Sequence, residues 1–418
     1  MREMKDSGIE WVGKVPATWK IMPNKYIMTK KKVIKEVYDD ENIISLSMNG
    51  VIVRDLEAGG KMPKTFDGYQ LVYPGNLLMC LFDYDVTPRC IGLIKDYGVT
   101  SPAYSQFVMN NGNYSGYYYY YYLMVDHTKA LLHLAKNLRH SFTEEQLGAI
   151  LAPVPTIEEQ QQIADYLDTQ CSEIDATAED IQKEISLLEG YKKSVITEAV
   201  TKGLNPDAEM KDSGIDWIGE IPKDWKVDKI KYHLKRNEPK NPGNAIVLSV
   251  YRDYGVIPKD SRDDNHNVTS EDTSKYKYVK KGRLVINKMK AWQGSLAVSD
   301  YDGIVSPAYF IYDFIDEEYN HKYFHYLVRS CYKEEFKRIS GGIREGQWDL
   351  SPEGFSNTLV LLPSIEEQNK ILDYILQKEM EIDSLIADKK RQLDILAEYK
   401  KSLIYEYVTG KKEVPVHE

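Results

Sequence analysis

The sequence predicts an α+β protein in which two globular domains of mixed helix and strand are separated by a pair of long antiparallel coiled-coil helices, with pseudo-two-fold symmetry. The first observation is a duplication, since MKDSGIEWVGKVPATWK at 4–20 recurs as MKDSGIDWIGEIPKDWK at 210–226. The second is that VPTIEEQQQIADYL at 154–167 recurs as LPSIEEQNKILDYI at 362–375. The third is that a long stretch without proline follows each of these later repeats. The chain is therefore two copies of one unit.

Composition indicates a globular protein. Of the 418 residues, 42% are apolar, which is enough for several domain cores. The four cysteines include no C-x-x-C pair, which favours neither a disulfide framework nor a zinc ribbon and fits a reducing cytoplasm. No apolar leader opens the chain, and the longest apolar run, Tyr117 to Val125, is far shorter than a bilayer span. We therefore expect a cytoplasmic protein without a membrane partner.

The regions between the repeats have the pattern of strands, followed by a helix. Short apolar stretches bounded by Gly, Pro and Asp-Gly turns predict strands at 76–82, 90–94, 283–287 and 295–299. Each region ends in a predicted helix, Tyr117 to Asn137 and Tyr319 to Ile339. This pattern places globular domains at 1–153 and 206–361.

The remaining segments, 154–205 and 362–418, each predict one long helix. Each opens on a capping box, formed by Thr156 with Glu159 and by Ser364 with Glu367. Apolar residues then recur at alternating spacings of four and three, the seam of a coiled coil. The second seam is less regular, because Glu379, Lys389 and Lys400 fall on it. Because a globular domain separates the helices in sequence, we expect them to pair antiparallel, with the two domains at opposite ends.

Charge is unevenly distributed along the chain, whose formal net charge is −10. The helical segment 156–200 has 3 basic and 11 acidic residues, and 364–410 has 7 and 10. The globular stretches are close to neutral, with 14 basic and 13 acidic residues in 17–153 and 22 and 19 in 226–361. A mildly basic domain beside acidic helices is compatible with nucleic-acid binding by the domains.

Basic residues cluster in the globular stretches, often beside aromatic residues, as in SKYKYVKKGR (274–283) and NKMKAWQG (287–294). Such mixtures neutralise phosphates and contact bases, although any single cluster is more often a solvated face. The candidate DNA-contacting residues are Lys30, Lys31, Lys32, Lys61, Lys64, Arg89, Arg139, Lys275, Lys277, Lys288, Lys290, Gln293 and Arg344.

Motifs for catalysis are absent from the sequence. It contains no phosphate-binding glycine loop, no zinc-protease HExxH, no G-x-S-x-G and no Asp/Asn-Pro-Pro-aromatic tetrapeptide of amino-methyltransferases. His321 and His325 have the spacing of a metal pair, but aromatic neighbours and the lack of a third ligand favour a structural role. The six tyrosines at 117–122 must point all round a helix, which favours packing over base stacking. We expect no catalytic, cofactor-binding or metal-binding residue.

Two variable domains, each introduced by W-x-G-x-x-P-x-x-W and followed by a long helix, resemble the specificity subunit of Type I restriction-modification enzymes. The residues that carry the resemblance are Trp11, Gly13, Pro16 and Trp19; Trp217, Gly219, Pro222 and Trp225; Pro155 with Glu159 and Gln160; and Pro363 with Glu367 and Gln368. The resemblance covers essentially the whole chain. In this family the tryptophan motif would be a folded strap with a structural role.

The resemblance implies a non-catalytic reader of double-stranded DNA in the cytoplasm of a bacterium or archaeon. Each globular domain would be a target-recognition domain for one half of a bipartite sequence, and the helices would set the gap. Two methyltransferase subunits, which bind S-adenosylmethionine, and motor-nuclease subunits, which use ATP and Mg²⁺, would be partners; this chain would hold no cofactor. The residues alone leave two alternatives: a two-headed coiled-coil scaffold that binds proteins, and the recognition subunit of another class of combined restriction-modification enzyme.

Overall fold

The computed structural model describes residues 2–57, 63–135, 140–243, 245–252, 254–261, 272–342 and 348–415. It divides into two compact units. Unit 1 comprises residues 1–182 and 390–418, and unit 2 comprises residues 183–389. Each unit thus contains one globular region and a segment of both long helices.

Unit 1 contains twelve short strands within the described residues. They are β1 Met4–Asp6, β2 Lys14–Pro16, β3 Lys20–Pro23, β4 Met28–Lys31, β5 Ile44–Ser47, β6 Gly50–Val53, β7 Gln70–Val72, β8 Leu77–Met79, β9 Ile91–Leu93, β10 Gly98–Thr100, β11 Ser105–Met109 and β12 Leu151–Val154. Its short helices are α1 Ser115–His127 and α2 Glu144–Ala149, with 3-10 turns at Asn24–Tyr26 and Leu132–Leu134.

Unit 2 contains fourteen short strands within the described residues. They are β13 Met210–Asp212, β14 Glu220–Pro222, β15 Lys226–Lys229, β16 Leu234–Arg236, β17 Leu248–Tyr251, β18 Gly255–Pro258, β19 Lys277–Val279, β20 Leu284–Asn287, β21 Leu296–Val298, β22 Gly303–Val305, β23 Tyr309–Phe314, β24 Ser340–Gly341, β25 Asp349–Leu350 and β26 Leu359–Leu362. Its short helices are α4 His321–Cys331, α5 Lys333–Arg338 and α6 Pro352–Asn357, with 3-10 turns at Ile230–Tyr232, Lys259–Ser261 and Ala291–Gln293.

The two units share one sheet plan. The main sheet has the order β4-β11-β8-β9 in unit 1 and β16-β23-β20-β21 in unit 2, and neighbouring strands are antiparallel. The pairs β3–β12 and β15–β26 join the start of each globular region to its end. The four strands predicted from apolar stretches are β8, β9, β20 and β21, so these predictions and the duplicated α+β fold are confirmed.

The helices predicted at the end of each globular region are shorter than predicted and are followed by further elements, including α2 and β12 in unit 1 and α6 and β26 in unit 2. Helix α1 ends at His127 because the chain turns at Lys129, whose φ is 50° and whose ammonium group binds Asp126 at 2.7 Å. The second predicted helix is broken at Tyr332, a fully buried residue between α4 and α5. Hydrophobic periodicity continues across both interruptions, which explains why the sequence did not reveal them.

The tyrosine run confirms the predicted packing role. Five of the six side chains at 117–122 are buried. Each hydroxyl has a polar partner within unit 1: Tyr117 donates to Val408 O at 2.8 Å and Tyr120 donates to Asp168 at 2.6 Å. The tyrosines therefore fix α1 to both long helices through hydrogen bonds as well as through apolar contact.

Two helices far longer than the others confirm the predicted helical segments: α3 spans Ile157–Lys202 and α7 spans Ile365–Val408. In unit 1, the rings of Tyr166 and Tyr407 lie 4.6 Å apart, and Lys400 Nζ binds the two oxygens of Asp175 at 2.6 and 2.7 Å. Residue numbers rise along α3 as they fall along α7. The pairing is therefore antiparallel, as predicted.

The pairing in unit 2 is also antiparallel. Lys389 Nζ lies 2.5 Å from Glu184, and Lys192 Nζ lies 2.8 Å from Asp383 and 3.2 Å from Glu379. The three charged residues that interrupt the second seam therefore all have partners of opposite charge on α3. Pairing of this kind favours one register of the two helices over its alternatives.

The W-x-G-x-x-P-x-x-W straps pack mainly through their second tryptophan. Trp19 and Trp225 are each 1% exposed, whereas Trp11 is half-buried and Trp217 is exposed. Each strap contributes the second strand of a two-stranded hairpin, β1–β2 or β13–β14, and the Gly of its motif has a positive φ of 70° in unit 1 and 74° in unit 2. The predicted structural role is confirmed for the second tryptophan of each strap.

Each buried tryptophan lies against the glycine that follows a long helix. A Cβ atom on Gly410 would lie 2.5 Å from the Pro16 ring and 2.8 Å from the Trp19 ring. A Cβ atom on Gly203 would lie 3.3 Å from the Trp225 ring. Both glycines also have positive φ, so they end their helices and admit the indole at the same time.

The Glu-Gln pair of the second repeat also has a packing role. Gln160, which is fully buried, accepts a hydrogen bond from Tyr114 N at 2.7 Å and donates to the proline carbonyl five residues earlier at 3.0 Å. Gln368 makes the corresponding bonds to Asn320 N at 2.8 Å and to its own proline at 3.0 Å. These glutamines connect the start of each long helix to the start of the helix in its globular region.

The capping boxes form only in one direction. Thr156 Oγ1 and Ser364 Oγ each accept a hydrogen bond from the backbone N–H three residues later at 3.3 Å. The Glu159 carboxylate does not accept the backbone N–H of Thr156 that would complete the box, because it accepts hydrogen bonds from Trp19 and Arg2 instead.

Candidate nucleic-acid interface

The loop between β20 and β21 brings together Lys288, Lys290 and Gln293. Its backbone is held at two points, because Lys288 N donates to Ala308 O at 3.2 Å and Leu350 N donates to Lys288 O at 2.9 Å. Ala291, at the centre of the loop, is fully buried. Hydrogen bonds and a buried side chain therefore hold this loop in place beside the main sheet of unit 2.

The three candidate side chains on this loop have different environments. Lys288 Nζ forms an ion pair with Asp349 at 2.9 Å. Lys290 is exposed, and within the described part of the chain its ammonium group has no partner. The Gln293 side chain likewise has no hydrogen-bond partner among the described residues. Lys290 and Gln293 are thus available to an external ligand, whereas Lys288 would first have to leave its carboxylate.

A tryptophan pair lies beside these residues. The rings of Trp292 and Trp348 have centroids 5.5 Å apart and are inclined at 54°. Both side chains are half-buried, and Trp292 Nε1 donates to Met289 O at 3.1 Å. Sequence analysis noted the aromatic residue in the loop but not this pair, because its members lie far apart in the chain.

Lys277 has a structural role within unit 2. Its Nζ lies 3.0 Å from Glu238 and donates to Tyr309 O at 2.7 Å. Burial acts to raise the pKa of Glu238, but hydrogen bonds from Arg236 and Lys277 outweigh it and hold the pKa below its usual range. The neighbouring candidate Lys275 is exposed.

In unit 1 the position equivalent to Lys277 is occupied by a neutral residue, Gln70. Gln70 on β7 is placed like Lys277 on β19, and its amide donates to Ser101 O at 2.9 Å and Tyr104 O at 2.7 Å. In both units this side chain therefore holds the Ser-Pro-Ala-Tyr turn.

In unit 1 three of the candidate residues are engaged inside the protein. Lys30 forms an ion pair with Glu144, and Lys31 Nζ lies 3.7 Å from the centroid of the Tyr73 ring. The Arg89 guanidinium donates three hydrogen bonds, to Ile91 O at 3.1 Å, Met48 O at 3.1 Å and the Tyr119 hydroxyl at 2.6 Å.

Lys32 and Lys64 are the available cations among the unit 1 candidates. Both are exposed, and no partner for either is found in the described ranges. Lys61, Arg139 and Arg344 lie outside the described residues. Within the described residues, the candidates whose side chains form no hydrogen bond, ion pair or ring contact are therefore Lys32, Lys64, Lys275, Lys290 and Gln293.

His321 and His325 both make contacts within unit 2. The His321 ring stacks on Phe314 at a centroid distance of 4.0 Å, and His325 Nδ1 accepts a hydrogen bond from Val298 N at 3.2 Å. Burial lowers the pKa of His325 to about 4, so its imidazole is neutral at neutral pH.

No helix in the described part of the chain is both long and apolar enough to cross a membrane.

Comparison with known proteins identifies similar sequences in an archaeon. The chain is 27% identical over 287 residues to the Type I restriction enzyme MjaVIII specificity subunit of Methanocaldococcus jannaschii, covering 63% of each protein. It is 38% identical over 87 residues to the putative type I restriction enzyme MjaX specificity subunit of the same organism, covering 21% of this chain and 19% of that protein. The chain thus spans less than two thirds of the length of these curated relatives. No family profile matches it.

Solved structures share the fold over nearly the whole chain. A chain from a study of complex assembly and conformational transition of the type I R-M system superposes with a TM-score of 0.67 at 11% identity, covering 95% of this chain and 99% of that one. The HsdS subunit from Thermoanaerobacter tengcongensis superposes with a TM-score of 0.51 at 14% identity, covering 95% and 98%. Both curated relatives are named specificity subunits, and the Thermoanaerobacter tengcongensis chain is named an HsdS subunit.

Proposed function

The chain is a homologue of type I restriction enzyme specificity subunits, and we propose that it is the DNA-reading subunit of such an enzyme. Each unit reads one half of a bipartite double-stranded target, through its globular region at 1–153 or 206–361. The segments at 154–205 and 362–418 set the unspecified gap between the half-sites. Methyltransferase and motor-nuclease subunits supply the S-adenosylmethionine, ATP and Mg²⁺ chemistry, and this chain holds none of these cofactors.

The observation that carries the proposal is a contrast between a repeated frame and variable loops. Both units have the same sheet order, strap and glutamine contact. The residues on that frame differ: Gln70 in unit 1 takes the place of Lys277 in unit 2, and each unit presents its own unpartnered cations. A common scaffold with different surface loops is what two readers of unrelated half-sites need.

The available residues suit contact with a duplex. A lysine without an intramolecular partner neutralises a phosphate without breaking an ion pair, and Gln293 offers the amide that reads adenine in the major groove. The Trp292–Trp348 pair presents apolar ring surface beside them, which suits contact with base edges or sugars.

The long helices offer apolar surface to partner subunits. In unit 2, Leu187 is 73% exposed and Met380 is 75% exposed. In unit 1, Ile395 is 62% exposed and Tyr399 is 52% exposed. These residues lie off the seam that pairs α3 with α7, and apolar helix positions left exposed by one pairing suit a further helix. We propose two methyltransferase subunits as the partners that cover them.

The test is an exchange of residues 226–361 for the corresponding region of a relative with a different target, followed by mapping of methylated motifs in cells that carry the methyltransferase partner. The expected result is a change in one half of the motif, with the other half and the gap retained. The unmodified chain in the same host is the control. A swap that alters both halves, or a wild-type complex whose binding to duplex DNA does not depend on salt, contradicts the proposal and favours a protein-binding scaffold.

A further inference from the structure

A buried histidine in unit 2 is surrounded by carboxylates. His233, the residue that ends the 3-10 turn Ile230–Tyr232, has a side chain that is only 3% exposed. Its Nδ1 forms a hydrogen bond with Asp316 Oδ2 at 2.8 Å, which a metal ion would replace, and lies 3.6 Å from Glu318 Oε2. Its Nε2 lies 3.5 Å from Asp228 Oδ2 but forms no hydrogen bond within the described residues.

The charge of this cluster is not balanced by nearby basic side chains. His233 is the one basic residue found within 4 Å of Asp228, Asp316 or Glu318 in the described part of the chain. Three carboxylates around one imidazole leave a net negative charge in either protonation state of the ring. The carboxylates are partly exposed, with 40% exposure for Asp228, 28% for Asp316 and 57% for Glu318, so a cation can reach them from solvent and would reduce their mutual repulsion.

We propose that His233 Nδ1, Asp316 and Glu318 bind a divalent transition-metal ion, with Zn²⁺ or Mn²⁺ as the class of ligand. One atom from each of the three residues lies within 4.8 Å of the others. Ligand atoms about 2.1 Å from one ion are roughly 3.0–3.6 Å apart at angles of about 90–120°. The observed separations of 2.8 and 3.6 Å are close to this range. A donor set that includes imidazole favours these ions over Ca²⁺ or Mg²⁺, which prefer oxygen ligands.

Asp228 completes the arrangement from the other side of the ring. When Nδ1 binds a metal ion, the imidazole proton resides on Nε2 and requires an acceptor. Asp228 Oδ2 lies 3.5 Å from Nε2 and would accept this proton after moving a few tenths of an ångström closer. A carboxylate opposite the metal-binding nitrogen is the usual means of fixing the tautomer and orientation of a metal-binding histidine. Metal binding at Nδ1 would thus give the buried Nε2 the hydrogen bond that it lacks in the structure.

The ion would join segments that meet beside α7. Asp316 and Glu318 lie in the loop after β23, and His233 lies between β15 and β16. The same loop continues to Asn320, which caps α4 and donates through Nδ2 to Asn369 of α7 at 2.8 Å. The site would therefore stabilise the connection between the globular region of unit 2 and its long helix.

Unit 1 provides a natural control. Ile27 caps the 3-10 turn Asn24–Tyr26 as His233 caps its own. The Ile27 carbonyl accepts a hydrogen bond from Asn110 N, just after β11, and the His233 carbonyl accepts one from Ile315 N, just after β23. Ile27 is fully buried. Isoleucine is thus already accommodated at this position of the frame, which makes His233→Ile the variant best suited to remove a ligand while keeping the fold.

The experiment measures the thermal unfolding of the full chain, stripped of metal, with and without added Zn²⁺, Mn²⁺ or Mg²⁺. We expect Zn²⁺ or Mn²⁺ to raise the Tm by roughly 5–10 °C at a hundredfold excess over its Kd, and EDTA to reverse the change. Mg²⁺ should have little effect. His233→Ile should lose the shift while its circular dichroism spectrum remains that of the folded protein.

Two further variants keep the test decisive if His233→Ile does not fold. Glu318→Gln replaces an exposed ligand, and Asp228→Asn replaces the carboxylate opposite the metal; each should weaken Zn²⁺ binding in calorimetry by about 10–100-fold. Absence of a shift with every ion would overturn the proposal. An undiminished shift in His233→Ile, or undiminished Zn²⁺ affinity in Glu318→Gln, would also overturn it, because binding would then reside elsewhere, for instance at the four free cysteines.

Discussion

The indole Nε1 of Trp19 donates a hydrogen bond to Glu159 Oε2 at 2.8 Å, whereas the equivalent Trp225 Nε1 is buried without a partner within the described residues. A hydrogen bond to a charged group contributes about 1.5–3 kcal/mol to stability. We expect Trp19→Phe to lower the free energy of unfolding by more than Trp225→Phe, since the second change removes a donor that was already unsatisfied. Urea unfolding of the two variants measures the difference, and equal losses would contradict it.

The contact between Gly410 and the first strap gives a second prediction. Gly410→Ala places a methyl group against Pro16 and Trp19 and requires alanine to adopt a φ of 69°. We expect it to lower the free energy of unfolding by about 1–3 kcal/mol. Gly190→Ala is the matched control, because Gly190 lies inside α3 with no atom within 4 Å of the added Cβ. This control should stabilise the protein by about 0.5–1 kcal/mol.

The buried His325 predicts a dependence of stability on pH. Because burial lowers its pKa from the ordinary 6.5 to about 4, the unfolded state binds a proton more readily than the folded state. Its contribution is present above pH 6.5 and is lost as the pH falls through 4. We expect His325→Gln, which can still accept the hydrogen bond from Val298 N, to lose less stability than the wild type between pH 7 and pH 4.5. Parallel urea titrations of both proteins across this range would reveal no difference if the histidine were not responsible.

The candidate residues on the β20–β21 loop predict different effects on DNA binding. Lys290→Ala should weaken binding to all sequences and reduce the slope of log K against log salt by about 0.9, because one phosphate contact is lost. Gln293→Ala should relax one position of the methylated motif at a cost of about 1–3 kcal/mol. Lys277→Gln, which introduces the residue type found at the equivalent position of unit 1, should leave the salt slope unchanged. If Lys277→Gln reduces the slope and Lys290→Ala does not, the loop is not the contact surface.

The helices predict how the gap between half-sites can be changed. Four residues inserted at the boundary between the units, after both Gln182 and Lys389, preserve the ion pairs described in each unit and add about 6 Å of helix. At 3.4 Å per base pair, the gap should lengthen by at most about two base pairs. Two residues inserted at each point rotate the helix faces by about 200° and should abolish activity. The readout is the methylated motif, and an active four-residue variant with an unchanged gap would show that the helices do not set it.

Local periodicity accounts for what sequence analysis predicted correctly. The seam of α3 and α7 and the short strands β8, β9, β20 and β21 depend on residues close together in the chain. Contacts that join distant segments were not predictable: His233 and Asp316 are 83 positions apart, and the roles of Lys277 and Gln70 appear only when the Ser-Pro-Ala-Tyr turn is placed beside them. The sequence also does not show which ammonium groups already have a carboxylate or a ring as partner, as Lys30 and Lys31 do in unit 1.

The division of the chain into units also has a consequence for biosynthesis. Unit 2 is continuous in sequence from Lys183 to Lys389, whereas unit 1 needs the segment from Lys390 onwards to cover Trp19 and Tyr117. A ribosome therefore releases the first globular region long before its remaining helix segment is made, and its apolar surface is exposed during this interval. All segments of unit 2 have been synthesised by Lys389, before the last segment of unit 1 is made. The domain that is translated first is thus completed last, and its folding depends on the longest-range contacts in the protein.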